Sequence, residues 1–200
     1  MELVRNYGIN ACENTAQEIA GRIVLAGPMA NIGGGHTARW RNATICDAEV
    51  DPDMDFNTCP LPYASESLGL VVCEQVIEHL HNTTHFLSEI HRVLKTRGHL
   101  LLSTENLASL PNILALLTQH APFSTQAVCG EFIGGWKSGP AGNPHCGVHR
   151  HHPTFSGVRG HVRVMTVGQI KFLLRLHGFA LKSKHGFGGN HYVLFYAVKA

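Results

Sequence analysis

The chain lacks most of the features that announce a function outright. Its six cysteines, at positions 12, 46, 59, 73, 129 and 146, form no CxxC pair. Several lie inside apolar runs, so they read as reduced core thiols and not as a disulfide framework. No apolar run approaches the ~18 residues of a spanning helix, and the first residues lack the basic-then-apolar order of a secretory signal. The expectation is a cytoplasmic protein with no membrane partner. There is no Gly-x-x-x-x-Gly-Lys, which removes support for phosphoryl transfer, and no Gly-x-Ser-x-Gly elbow, which argues against a nucleophilic serine. Charged residues are only 15% of the chain and the net charge is +2, with the basic residues scattered, so nothing calls for nucleic acid. Internal repeats are absent.

What is present is a globular composition. With 44% hydrophobic residues over 200 positions, the chain reads as one domain, 1–200, able to bury a substantial core. Histidine stands out, at 15 against 16 Lys and Arg together. The plain account is compositional habit and exposed loops.

The stretch from Leu61 to Asn106 organises the rest. LGLVVC, residues 68–73, is short, apolar and rich in β-branched side chains, as a strand buried on both faces must be. Phe86, Leu87, Ile90, Val93 and Leu94 then recur at helical spacing, with Glu89, Arg92 and Lys95 opposite. Gly98 is placed to end that helix in a left-handed cap, and HLLLST follows as the next strand. Strand, helix and strand give a right-handed βαβ unit in a parallel sheet.

These residues resemble a known family. LPYASESLGLVVCEQVIEHL followed by FLSEIHRVLKTRGHLLLSTEN is similar to the second half of the type-11 group of class I S-adenosylmethionine-dependent methyltransferases, with their acidic EVIEHL run and RVLKPGG turn. GHVRVMTVGQIKFLLRLHGFALKS, residues 160–183, resembles the later His-x-Arg-x-Phe-Thr segment of some bacterial members. The resemblance covers roughly residues 45–200. It implies an α/β fold, a Rossmann-like doubly wound and mostly parallel sheet with an antiparallel edge hairpin. It also implies S-adenosylmethionine as cofactor and a small-molecule or sugar-type methyl acceptor. LGLVVC becomes the fourth strand, and Asp55 or Asn57 takes the place of the polar residue near the adenine amino group.

Along the chain, ENTAQEIAG reads as a helix stopped by Gly21, and RIVLAG, residues 22–27, as the first buried strand. The loop after the first strand is where backbone N–H groups hold a cofactor's polar end, so Gly27 and Gly33 are assigned to it. The family places an acid just before its glycine run; here the cluster Gly33, Gly34, Gly35 stands displaced from that strand, with no acid beside Gly27. NATICDAE is the next strand. Asp47 at its end follows Gly27 by the ~20 residues typical of a ribose-binding carboxylate, with Glu49 close behind. Glu74 and Gln75 sit at the carboxyl end of LGLVVC, where open α/β sheets place ligands.

Methyl transfer from a sulfonium needs alignment above all, and a base only where the acceptor starts protonated. His79 and His161 are the candidate catalytic residues. Arg163 is the candidate for binding an acidic group of the substrate. A helix over 107–117 and a closing helix and hairpin, VGQIKFLLRLHG, FALKSKH and YVLFYAV, flank an irregular His-, Gly- and Pro-rich segment at 118–160 that suits a loop over the site. The main reading assigns no metal ligands. The alternative is a non-catalytic relative, either a partner subunit or a metal-binding module built on His145, Cys146, His149, His151 and His152. A homodimer is compatible with either.

Overall fold

The computed structural model describes residues 2–34, 40, 42–47, 51, 53–119, 122, 124 and 161–200. Gly35, Glu49, Cys129 and the cluster from His145 to His152 therefore lie outside the described residues, as does most of the 118–160 segment. In chain order the elements are α1 (Glu2–Gly21), β1 (Met29–Ile32), β2 (Ala43–Cys46), β3 (Leu68–Glu74), a 3-10 turn (Ile77–His79), α2 (Thr83–Val93), β4 (Leu94–Glu105), α3 (Leu110–Leu117), α4 (Val167–Leu176), β5 (Phe179–Phe187) and β6 (Tyr192–Lys199). One six-stranded sheet runs in the order β2-β1-β3-β4-β6-β5. The first four of these are parallel, and β6 and β5 add an antiparallel hairpin at one edge. This is the expected Rossmann-like architecture.

Both faces of the sheet are covered because its central strands are apolar on both. On one face Cys12 and Ala16 of α1 pack with Leu70, Val72, Leu101 and Leu194. On the other, Phe86, Leu87, Ile90 and Val93 of α2 and Ile170 and Leu174 of α4 pack with Val71, Cys73, Leu100, Leu102 and Phe195. Asn82 caps α2 by accepting from the His85 N–H, and Thr166 and Gln169 cap α4 reciprocally. Gly178, at φ +78°, ends the turn after α4.

Three expectations need correction. RIVLAG is not a strand: Val24 is 93% exposed, and residues 22–28 connect α1 to β1, which is MANI. LGLVVC is the third strand in chain order, since the described residues hold no strand between Cys46 and Leu68. Gly98 does not cap α2, which ends at Val93. Leu94 is already paired with Leu68, and the register shift before the Leu70–His99 pair takes up Arg97 in a left-handed conformation with Gly98 next to it.

Candidate active site at the carboxyl edge of the sheet

Ile32 pairs with both Cys46 and Cys73, so β1, β2 and β3 end at one level. The chain leaves β1 through Gly33, whose N–H donates to the Cys46 carbonyl at 2.8 Å. Its φ is +74°, and a side chain there would collide with Val76. A side chain on Gly34 would collide with Asn31. The turn therefore presents bare backbone at the end of the first strand, the arrangement that suits an anionic or zwitterionic ligand group. The glycine cluster is not displaced at all once the strand is placed correctly. Two residues before it stands Asn31. Asn31 is fully buried, and neither its amide oxygen nor its amide nitrogen has a hydrogen-bond partner among the described residues. A buried, unpaired amide at a ligand edge is worth explaining, and a polar ligand would satisfy it. An amide supplies hydrogen bonds there without the charge of an acid.

Asp47 follows β2 directly and is buried. Glu74, at the end of β3, accepts from the Trp40 indole N–H at 2.9 Å. Gln75 holds φ +55° and donates its backbone N–H to the Ser103 carbonyl at 3.0 Å. With its amide nitrogen turned toward Glu78, its side chain donates to Glu78 Oε1 at 3.0 Å and accepts from the Thr104 N–H at 3.3 Å. Gly33, Asp47, Glu74 and Gln75 thus share the carboxyl edge.

The other assigned cofactor residues do not join them. Gly27 lies before β1, at the amino end of the sheet and against Gly69. Its spacing from Asp47 is incidental. Asp55 is engaged in its own turn, accepting from Asn57 N–H and Nδ2 and from Thr58 Oγ1, and these bonds, led by the Asn57 backbone, hold its carboxyl below the usual range. Asn57 Oδ1 accepts from the N–H groups of His81 and Asn82, bracing the entrance to α2.

One strand across, the 3-10 turn brings together a second group. The Glu78 carbonyl accepts from the Val162 and Arg163 N–H groups at 2.8 and 3.0 Å, which carries His161 to His79. The two rings meet edge-on with centroids 4.9 Å apart. Arg163 is exposed, and its described contribution is this backbone bond. The Glu78 carboxylate is fully buried and accepts from Thr104 Oγ1 at 2.8 Å. Burial above all, with the charge of Glu105 adding to it, pushes its pKa up to about 8. Glu105 Oε2 lies 3.5 Å from His161 Nδ1 and 3.7 Å from His191 Nε2. His161 Nδ1 is also 2.9 Å from the Ser124 carbonyl, and His191 Nδ1 is 3.2 Å from Ser109 Oγ. Donor atoms of Glu78, His79 and His161 all lie within 4.8 Å of one another. Sequence reasoning missed Asn31, Glu105 and His191. Glu105 ends a parallel strand, the signal that selected Glu74, whereas His191 sits in a hairpin turn with no local signal.

Residues 38–102 match the model of a methyltransferase-domain family, the type-11 group, over β2, β3, α2 and most of β4. None of the curated proteins compared matches the chain. Among solved structures, an S-adenosylmethionine-dependent methyltransferase from Thermotoga maritima is similar at 15% identity over 99% of this chain and 92% of that one, with TM-score 0.57. Magnesium protoporphyrin IX methyltransferase from Synechocystis, with bound S-adenosylhomocysteine, is similar at 13% identity over 98% of this chain and 85% of that one, also at 0.57. An S-adenosylmethionine-dependent methyltransferase from Mesorhizobium loti reaches 17% identity over 91% and 96%, with TM-score 0.54. At such identities the likeness is one of fold.

Proposed function

We propose that this chain, whose residues 38–102 match a methyltransferase-domain model and whose fold is that of S-adenosylmethionine-dependent methyltransferases, transfers a methyl group from that cofactor to a small-molecule or sugar-type acceptor. One observation carries the reading: a single sheet edge holds the bare Gly33–Gly34 turn beside buried Asp47 and, one strand across, the His79–His161 pair. The glycine turn and the Asn31 amide fit the cofactor's amino-acid end. Asp47 fits its ribose, where one carboxylate accepts from two neighbouring hydroxyls. When bound, S-adenosylmethionine supplies a methyl group already activated by a positive sulfur.

The protein's part is to align and to manage a proton. Fixing the acceptor in line is worth roughly 7–11 kcal/mol of the barrier. His161 holds Nδ1 against the Ser124 carbonyl, which makes Nε2 its basic nitrogen, and Glu105 stabilises the ring once it is protonated. His161 or His79 then takes the proton of a hydroxyl or ammonium acceptor. Among the described residues no helix is long and apolar enough to cross a membrane.

Calorimetric titration of the purified full chain with S-adenosylmethionine and S-adenosylhomocysteine tests this. Micromolar binding of both is expected, and His79→Ala should leave it within about twofold, since that residue belongs to the acceptor side. A folded protein that binds neither ligand would overturn the reading in favour of a non-catalytic relative.

A further inference from the structure

The geometry assigns a second ligand to the acceptor side: Glu78, His79 and His161 form a binding site for a divalent first-row transition-metal cation. Two imidazoles and one carboxylate, with donor atoms within 4.8 Å of one another, are a set that zinc, manganese or iron(II) takes while keeping coordination positions open. The donors come from two separate segments that are locked together before any ion arrives. Glu78 and His79 are adjacent in one 3-10 turn, and the Glu78 carbonyl holds the Val162 and Arg163 N–H groups next to His161.

The groups behind these donors point the same way. A metal-bound histidine nearly always donates its other ring N–H to a carbonyl or carboxylate, which fixes the tautomer and raises basicity. His161 has such a partner, its Nδ1 lying 2.9 Å from the Ser124 carbonyl, with the Glu105 carboxylate 3.5 Å away. A ligating carboxylate is in turn hydrogen-bonded, and Glu78 accepts from Thr104 Oγ1 and from the Gln75 amide. Glu78 is also fully buried, with Glu105 nearby, and no lysine or arginine among the described residues pairs with it.

The role of the ion rests on the methyltransferase reading. A cation with open positions at the acceptor side binds an acceptor oxygen and lowers its pKa, so the acceptor class becomes a hydroxyl-bearing small molecule whose proton passes to water before the methyl arrives, the ion replacing the base that His79 or His161 supplies without it.

The test uses the metal-free full chain, titrated calorimetrically with zinc chloride and manganese chloride. Its companions are His79→Asn, His161→Gln and a variant with His145, His149, His151 and His152 all changed to Asn. The expected result is one equivalent bound by the last variant as tightly as by the wild type, and an affinity about 100-fold lower in His79→Asn and His161→Gln. Circular dichroism establishes that each variant is folded. Should either be unfolded, Gln75→Ala provides the softer version, with an expected loss of about tenfold. Binding that survives in both His79→Asn and His161→Gln, or that vanishes with the four loop histidines, overturns the site. S-adenosylhomocysteine titrated into the same samples separates the two readings: its binding should be indifferent to the histidine changes, and its absence in the wild type sinks methyl transfer while leaving the metal result standing.

Discussion

Strand β1 has glycines near both of its ends, and the two sets do different work. At the amino end Gly27 and Gly69 let two backbones touch: a Cβ on Gly69 would stand 2.7 Å from the Gly27 nitrogen and 2.9 Å from its oxygen. At the carboxyl end Gly33 and Gly34 meet only side chains, those of Val76 and Asn31, and leave backbone bare beside Asp47. The first pair closes the structure and the second opens it. A glycine therefore takes its meaning from which end of a strand it occupies, and spacing alone misleads: Gly27 stands at the family's distance from Asp47 on the wrong side of the sheet.

Substitutions at the two ends should separate cleanly. Gly33→Ala forces a side chain into a left-handed turn against Val76, and S-adenosylhomocysteine affinity should fall about 100-fold, or ~3 kcal/mol, by calorimetry. If the affinity is unchanged, the carboxyl-end turn is not the cofactor loop. Gly69→Ala should do the reverse. Overpacking against backbone costs about 1–3 kcal/mol in urea denaturation, with the affinity of the folded fraction within about twofold of wild type. At the carboxyl end again, Asp47→Ala should cost adenosine-containing ligands about 1–3 kcal/mol, and equal titration curves would remove it from the ribose role.

The smallest effect is expected at the amino end, where Arg92 clamps α2 to the preceding loop. It donates to both Glu89 oxygens at 2.8 and 2.7 Å and to the carbonyls of Leu61 and Tyr63 at 3.0 and 2.9 Å. These bonds, Arg92 first, hold the Glu89 carboxyl below its ordinary value of 4.5. A carboxyl lowered in the folded state stabilises above its unfolded pKa, and that contribution is lost as pH falls through the folded value. Glu89→Gln should therefore cost about 1–2 kcal/mol at pH 7, and progressively less below pH 4.5, with cofactor binding untouched. A deficit that persists undiminished at pH 3 would show that the charge is not what matters.

The legibility of this molecule follows the same division. The βαβ unit from β3 to β4 was readable because its strands are apolar on both faces and its helix has a clean stripe, both local properties. Strand β1 was not, because RIVLAG is more apolar than MANI and Asn31 interrupts the shorter run. What makes MANI the strand is its place between β2 and β3, which no local window contains. His79 and His161 stood out as candidates, yet their proximity depends on one carbonyl of Glu78 receiving a segment far along the chain. Glu105 and His191 enter only through that tertiary closure.

The buried cysteines carry a practical consequence. Cys12 belongs to α1 and is buried between it and one face of the sheet, while Cys46 and Cys73 belong to the core on the other. Burial pushes the Cys12 thiol up to about 12 and the Cys46 thiol to about 11, and raises Cys73 well above the usual range. Since only the thiolate attacks, burial leaves these thiols protonated and unreactive near neutral pH even before access is considered. Alkylation of these three in the native protein thus waits on an opening of the layer above each one. Mass spectrometry of timed labelling then becomes a two-sided clock, reading separately how often α1 and the α2–α4 layer lift from the sheet.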